Sequence, residues 1–253
     1  MDKQTKASLH PCVAHRGFSG KAPENTMAAF KLALSYPYVQ WIELDVQLSR
    51  DGVPVVFHDS TLDRTTNGKG RVADYSAEEL ARLDAGGWMD AAYSSEGVPA
   101  LDQVLELADG RCRLNIELKA GQSDFDRLAL RAVEVIRSRG KEEEHMVTSF
   151  EPDILRAVRK YSPTLRTGLI INDHPDDLFD RLRELDCSCL SIGFRHLTGK
   201  LLEQAARASI DVMAWTVNSV SDLRRLGSRP EAFMLCTNYP DLWLAALEGA
   251  GEP

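Results

Sequence analysis

Short apolar, β-branched runs alternate with helix-like segments through nearly the whole chain, which predicts an α/β protein with a parallel sheet. Eight such units in 253 residues match the size of a closed barrel, so the expected fold is a TIM (β/α)8 barrel. The alternation breaks once, after the second strand. There a segment at about 59–99, rich in Thr, Asp, Gly and Ser, is expected to be a small insertion. An open doubly wound sheet is the competing architecture, but neither GxGxxG nor GxxxxGK[ST] is present. With no repeat, low-complexity tract or linker, residues 1–253 are expected to form one barrel domain carrying that insertion.

The elements follow in order. Strand one is expected at Cys12–Ala14, and the next helix starts at Asn25 or Thr26, both good N-terminal caps. Trp41–Gln47 is strand two. The turn Ser49-Arg50-Asp51-Gly52 leads straight into Val53–His58, a hairpin signal. The insertion should hold one short helix near Ser76–Leu83. Further strands are expected at Arg113–Leu118, His145–Ser149, Thr167–Ile171, Cys189–Ile192, Val212–Thr216 and Phe233–Cys236. Between them, Asp126–Arg139 places Leu128, Ala129, Ala132, Val133 and Ile136 at helical spacing. Pro152, Pro175, Thr198, Ser219 and Pro240 mark other helix starts.

Composition narrows the partners. The net charge of −8 disfavours nucleic acid and anionic membrane surfaces. Any phosphate must then be met by a local positive site or a metal. The first ten residues are polar, which speaks against a signal peptide. No apolar run approaches the ~20 residues of a membrane span, so no stable membrane insertion is expected. Five cysteines sit mostly in apolar runs and read as buried, reduced thiols of a cytoplasmic protein. Cys187-Ser188-Cys189 has no second pair nearby to complete a zinc site. Oligomeric state has no sequence signature here.

Two strands carry polar residues at strand period. Glu43 and Asp45 leave one face of strand two; Asn115, Glu117 and Lys119 leave one face of the Arg113 strand. Carboxylates inside a barrel are costly unless paired or bound to a cation. Both sets lie at C-terminal strand ends, where barrel active sites form. Taken singly, each reads equally well as a hydrogen-bonded cap or an ion pair. Together, three carboxylates make an all-oxygen site suited to Mg2+ or Ca2+. His15 ends strand one and His58 ends the hairpin arm, and two imidazoles beside such a cluster can exchange protons near neutral pH. Arg16 offers a fork for phosphate oxygens, and Gly17 lets backbone approach closely. His10, His145, His174 and His196 lack such neighbours and read as structural or surface residues.

The ordered run His15-Arg16-Gly17, Pro23-Glu24-Asn25-Thr26, Glu43-Leu44-Asp45-Val46 and Asp51-Gly52-Val53-Pro54-Val55-Val56-Phe57-His58-Asp59 closely resembles the glycerophosphodiester phosphodiesterase family. Leu62-Asp63-Arg64-Thr65-Thr66-Asn67-Gly68, Pro99-Ala100-Leu101, Asn115-Ile116-Glu117-Leu118-Lys119, Ser149-Phe150, Trp215-Thr216-Val217-Asn218 and Thr237-Asn238-Tyr239-Pro240-Asp241 extend the likeness to the C-terminus. The resemblance implies metal-dependent hydrolysis of glycerophosphodiesters to sn-glycerol 3-phosphate and an alcohol. It implies Glu43, Asp45 and Glu117 as metal ligands, and His15 and His58 as the general acid/base pair. It also implies Arg16 and Lys119 as phosphate contacts. Trp215 would wall the substrate pocket, with plain core packing as its alternative; Phe18 and Phe150 would form an apolar rim. Glu24 has a supporting role, and Asn25 and Thr26 cap the first helix. Asn238 stands where many members carry Asp, outside the ligand set. A lysophospholipase D-like or sphingomyelinase D-like lipid phosphodiesterase on the same site is one competing reading. A catalytically inert barrel used as a binding module is another.

Overall fold

The computed structural model describes residues 7–121 and 124–248. Among the described residues nine strands run β1 (Cys12–His15), β2 (Val39–Leu48), β3 (Pro54–Val56), β4 (Arg113–Leu118), β5 (Met146–Ser149), β6 (Arg166–Ile171), β7 (Cys189–Gly193), β8 (Asp211–Trp215) and β9 (Met234–Thr237). All but β3 are parallel to their neighbours. They pair in the order β1-β9-β8-β7-β6-β5-β4-β2, and β1 pairs with β2 to close the ring. This is the expected eight-stranded barrel, with helices between its strands.

The helices are α1 (Met27–Leu34), α2 (Ala77–Ala81), α3 (Leu101–Ala108), α4 (Phe125–Ser138), α5 (Pro152–Tyr161), α6 (Leu178–Glu184), α7 (Gly199–Arg207), α8 (Val220–Gly227) and α9 (Pro240–Glu248). Their starts follow local chemistry. Thr26, Thr198 and Ser219 each accept an amide hydrogen bond at an N-cap, and Ser76 and Glu79 form a capping box on α2. Pro152 opens α5 at the first-turn position. The expected start at Pro175 moves to Leu178, because Pro175 instead accepts from the Leu178 amide in the turn before α6.

Strand alternation divides the core in two. Outward side chains such as Ile42, Leu44, Ile116 and Leu190 join helix residues such as Leu105, Leu128 and Leu223 in the outer layer. Inward ones (Val13, Trp41, Met146, Cys189, Met213, Met234 and Cys236) plug the barrel, with Trp215 packed against them. The five cysteines are free thiols. Burial raises the Cys112, Cys187 and Cys189 thiols to about 12, 11 and 12, which keeps them protonated.

The break in alternation falls where expected. β3 runs back antiparallel on β2, pairing Val46 with Val56 and Leu48 with Pro54. Val46 gives its carbonyl to the Lys119 amide on the β4 side, whereas Asp45 gives its own to the Phe57 amide. β3 therefore occupies the edge of β2 that β1 leaves beyond His15, and it delivers His58 to the C-terminal mouth. Residues 59–99 stand outside the barrel wall. They pack around Leu62, Val72, Leu80 and Val98, and rejoin the barrel where Pro99 accepts from the Val56 amide. Among the described residues, no helix is long and apolar enough to cross a membrane.

Candidate active site

Register builds the site. His15 pairs with Glu43, and Glu43 with Asn115, which forms one row across β1, β2 and β4. One step towards the mouth, Asp45 pairs with Glu117. Because successive inward residues are two apart, Glu43, Asp45 and Glu117 converge inside the barrel mouth. All three are buried, and one oxygen from each lies within 4.8 Å of the others.

Two cations lean on this cluster. Lys119 Nζ is 2.6 Å from Glu117 Oε1 and 3.3 Å from Asp45 Oδ1. Arg16 Nε is 3.1 Å from Asp45 Oδ2, and its Nη1 donates to Glu24 Oε1 at 2.8 Å. Arg16 reaches this position because it and Gly17 adopt positive φ, 55° and 78°. A Cβ on Gly17 would stand 2.7 Å from the Ala29 carbonyl carbon, so glycine is required there. The Arg16 amide donates to Glu43 Oε2 at 3.1 Å, so the same turn fixes the acid.

The electrostatics of the three acids differ. Burial, then Asp45 and Glu117, push the Glu43 carboxyl well above the ordinary range. Burial and Asp45 lift Glu117 to about 7 against the pull of Lys119. Burial also pushes Asp45 up, but Arg16 and Lys119 outweigh it and hold Asp45 below its usual value. Glu43 Oε1 is buried without a hydrogen-bond partner. An orphaned carboxylate oxygen beside two other acids fits a hard divalent cation, whose preferred ligands are oxygens.

The imidazoles are held from behind. His15 Nδ1 lies 2.7 Å from Asn238 Oδ1, and its Nε2 is 3.8 Å from Glu43 Oε2. Burial and the nearby Arg16 guanidinium lower His15 to about 4. His58 Nδ1 lies 2.6 Å from Asp59 Oδ1. Both rings line one cavity of about 160 Å3, together with Arg16, Glu43, Glu117, Lys119 and Trp215. Trp215 meets Phe150 edge-on at 6.0 Å, and its buried indole Nε1 has no acceptor.

Of the residues singled out in the sequence, His15, His58, Arg16, Lys119, Trp215, Glu43 and Glu117 line one cavity, and Asp45 is buried beside Glu117 behind it. Two expectations change. Phe18 is fully buried against Tyr36 rather than at the rim, because the turn at Gly17 swings it inward; Phe150 alone is exposed. Thr26 caps α1 alone. Asn25, at positive φ, donates instead to Asp45 Oδ2 at 2.8 Å. Asn238 stands outside the acid cluster and backs His15. His10 and His145 are buried, and His174 and His196 lie on the surface, as expected. Asp59 and Arg64 carry no assigned role in the sequence. Both stand in the runs that carry the resemblance, Asp59 directly after His58 and Arg64 five residues on.

A (β/α)8 barrel whose mouth gathers three acids, two imidazoles and two cations around one cavity is the framework of a phosphodiester-cleaving hydrolase. Residues 15–242 match the Glycerophosphoryl diester phosphodiesterase family, and the chain belongs to that family. It is similar to a glycerophosphodiester phosphodiesterase of Caldanaerobacter subterraneus subsp. tengcongensis, 35% identical over 85% of this chain and 88% of that one. A structure of an Oleispira antarctica phosphodiesterase in complex with the product sn-glycerol-3-phosphate superposes with a TM-score of 0.89. It is 32% identical and covers 95% of this chain and 97% of that one. A glycerophosphodiester phosphodiesterase from Agrobacterium tumefaciens superposes at 0.81, 30% identical over 94% of this chain and 100% of that one. The chain is accordingly a phosphoric diester hydrolase of the glycerophosphodiester phosphodiesterase class.

Proposed function

We propose that the chain, acting as one barrel unit over residues 1–253, hydrolyses glycerophosphodiesters to sn-glycerol 3-phosphate and an alcohol. In this reading Glu43, Asp45 and Glu117 hold Mg2+ or Ca2+, and His15 and His58 exchange protons with the substrate. The observation that carries it is the clustering of the three acids within 4.8 Å of one another, with Glu43 and Glu117 opening onto the small cavity that both imidazoles line. The product named for the Oleispira structure supports the glycerol phosphate half of the substrate.

A bound divalent cation supplies electrostatic stabilisation of the phosphoryl oxygens. Arg16 and Lys119 add donors on the same cavity and orient the phosphodiester. One imidazole takes the proton of the nucleophile as it bonds to phosphorus, and the other protonates the alkoxide as its P–O bond breaks; the nucleophile is water itself, or the neighbouring glycerol 2-hydroxyl, whose cyclic phosphate water then opens. Trp215 and Phe150 form an aromatic wall of the same cavity, and the unpartnered indole N–H is a donor for a substrate oxygen. A volume of about 160 Å3 suits a small polar diester; drug-sized ligands occupy roughly 300 Å3 or more. The protonated, unpaired thiols support a cytoplasmic setting, and the acidic surface supports a small-molecule substrate rather than nucleic acid or membrane.

The test is a coupled assay for glycerol 3-phosphate released from glycerophosphocholine, with and without chelator. Release that stops on chelation and returns with Mg2+ or Ca2+ is expected. Full turnover in chelator would remove the cation from the reading. Activity confined to lysophosphatidylcholine would replace the substrate class.

A further inference from the structure

We infer that Arg64 is a positioning residue of this site: one guanidinium, supplied by the insertion, holds the His58 side and the Arg16 side of the cavity in register through two carboxylates. The inference rests on the function proposed above. Arg64 makes two complete forks. Its Nε and Nη2 donate to Asp59 at 2.6 and 3.0 Å, and its Nη1 and Nη2 donate to Glu24 at 2.8 Å each. Each acid passes the constraint on. Asp59 Oδ1 meets His58 Nδ1 at 2.6 Å, and Glu24 Oε1 accepts from Arg16 Nη1 at 2.8 Å. The chain His58–Asp59–Arg64–Glu24–Arg16 thus ties the loop after β3 to the loop after β1. The insertion also meets this side where Tyr93 Oη donates to the Lys21 carbonyl at 3.2 Å and the Ala28 amide donates to Glu96 Oε2 at 3.0 Å, but neither bond reaches His58 or Arg16.

The arrangement has the character of alignment more than of stability. The Arg64 side chain is 46% exposed, and exposed ion pairs contribute little to folding. Paired forks, in contrast, fix the relative orientation of guanidinium and carboxylate planes. The Arg64 hydrogen bonds hold Asp59 at about 2, so a carboxylate faces His58 Nδ1 throughout the working pH range. That acceptor fixes the proton on Nδ1 and turns Nε2 towards the cavity. Neither Glu24 nor Asp59 belongs to the three-acid cluster, so loss of Arg64 leaves the cation ligands intact.

The experiment compares Arg64→Ala, Arg64→Lys, Arg64→Ala/Asp59→Ala and His58→Ala in the glycerophosphocholine assay at saturating Mg2+. Thermal melts and Mg2+ titrations accompany each. Arg64→Ala should lose about 10–100-fold in kcat, the scale of lost support behind a working imidazole, with melting and Mg2+ affinity close to wild type. Arg64→Lys should stay impaired, because an ammonium cannot make two forks. Millimolar guanidinium should restore part of the Arg64→Ala rate and none of the Arg64→Ala/Asp59→Ala rate. Wild-type kcat in Arg64→Ala beside an inactive His58→Ala would overturn the inference alone. So would a loss that tracks the unfolded fraction and ignores guanidinium. Full turnover in His58→Ala would instead bring down the functional reading itself, and the inference with it.

Discussion

His15 Nδ1 meets the amide oxygen of Asn238 at 2.7 Å, 223 residues away along the chain. With that oxygen facing the ring, Nδ1 carries the proton and Nε2, 3.8 Å from Glu43, is the basic nitrogen. The Asn238 backbone is itself held, its main-chain N–H donating to Asn218 Oδ1 at 2.9 Å. Burial, with Arg16, lowers His15 to about 4, and a neutral amide does little to reverse this. Replacing the amide by a carboxylate favours the imidazolium. Asn238→Asp should therefore move the acid limb of kcat/KM to higher pH, by about one unit. A pH–rate profile checks this, and an unmoved limb would separate Asn238 from the chemistry.

Cation binding should depend on pH in a defined window. Burial and Asp45 lift Glu117 to about 7, above its ordinary 4.5. Between those values the cation-free folded protein keeps a proton that an ordinary carboxyl has released. A cation must displace it, and Glu43, also raised by burial, holds its proton in the same way, so affinity rises as pH rises. Below 7 the expected slope is at least about tenfold per unit, the value for one displaced proton. Mg2+ titrations at pH 5.5, 6.5 and 7.5 measure it, and an affinity flat across that range would contradict the raised Glu117.

Glu43 offers a trade between stability and activity. Its carboxyl is buried beside Asp45 and Glu117, and one oxygen has no partner. In the cation-free protein this is a cost, because desolvated like charges repel. Glu43→Gln should abolish glycerol 3-phosphate release yet raise the cation-free Tm. Relief of about 1 kcal/mol corresponds to roughly 2–4 °C for a chain of this size. Added Mg2+ should no longer shift that Tm, whereas it should raise the wild type's. A variant that melts lower than wild type in chelator would mean that Glu43 is structural.

The barrel was legible because its determinants are local. Eight parallel strands need β-branched runs, and helices need caps such as Thr26 and Ser219; both are written in consecutive residues. The acid cluster was legible for a related reason: period-two placement of Glu43 with Asp45, and of Asn115 with Glu117, fixes the inward face before any contact is known. What escaped was set by closure. His15 meets Asn238 only when β9 returns beside β1. Asn25 resembles a cap but serves Asp45 instead, because positive φ aims it across the barrel mouth. Phe18 resembles a rim residue, and the Gly17 turn buries it. Arg64 lay in an insertion whose own folding decides where its guanidinium points.

Trp215 tests the aromatic wall of the cavity. Its Nε1 is buried and unpartnered, a state that costs about 1–3 kcal/mol in a free protein. Its ring also packs edge-on against Phe150 at 6.0 Å, so the aromatic contact and the N–H can be separated. Trp215→Phe keeps an aromatic and removes the donor. If the indole N–H waits for a substrate oxygen, the variant should melt higher than wild type in the free state. Its KM should rise about fivefold, the value of one hydrogen bond of ~1 kcal/mol. Its kcat should change little, because the lost bond binds ground state and transition state alike. If the residue only packs, KM should stay put and the smaller ring should lower Tm by leaving a void. The two readings predict opposite signs in the melt, so calorimetry of the free enzyme beside the KM measurement decides between them.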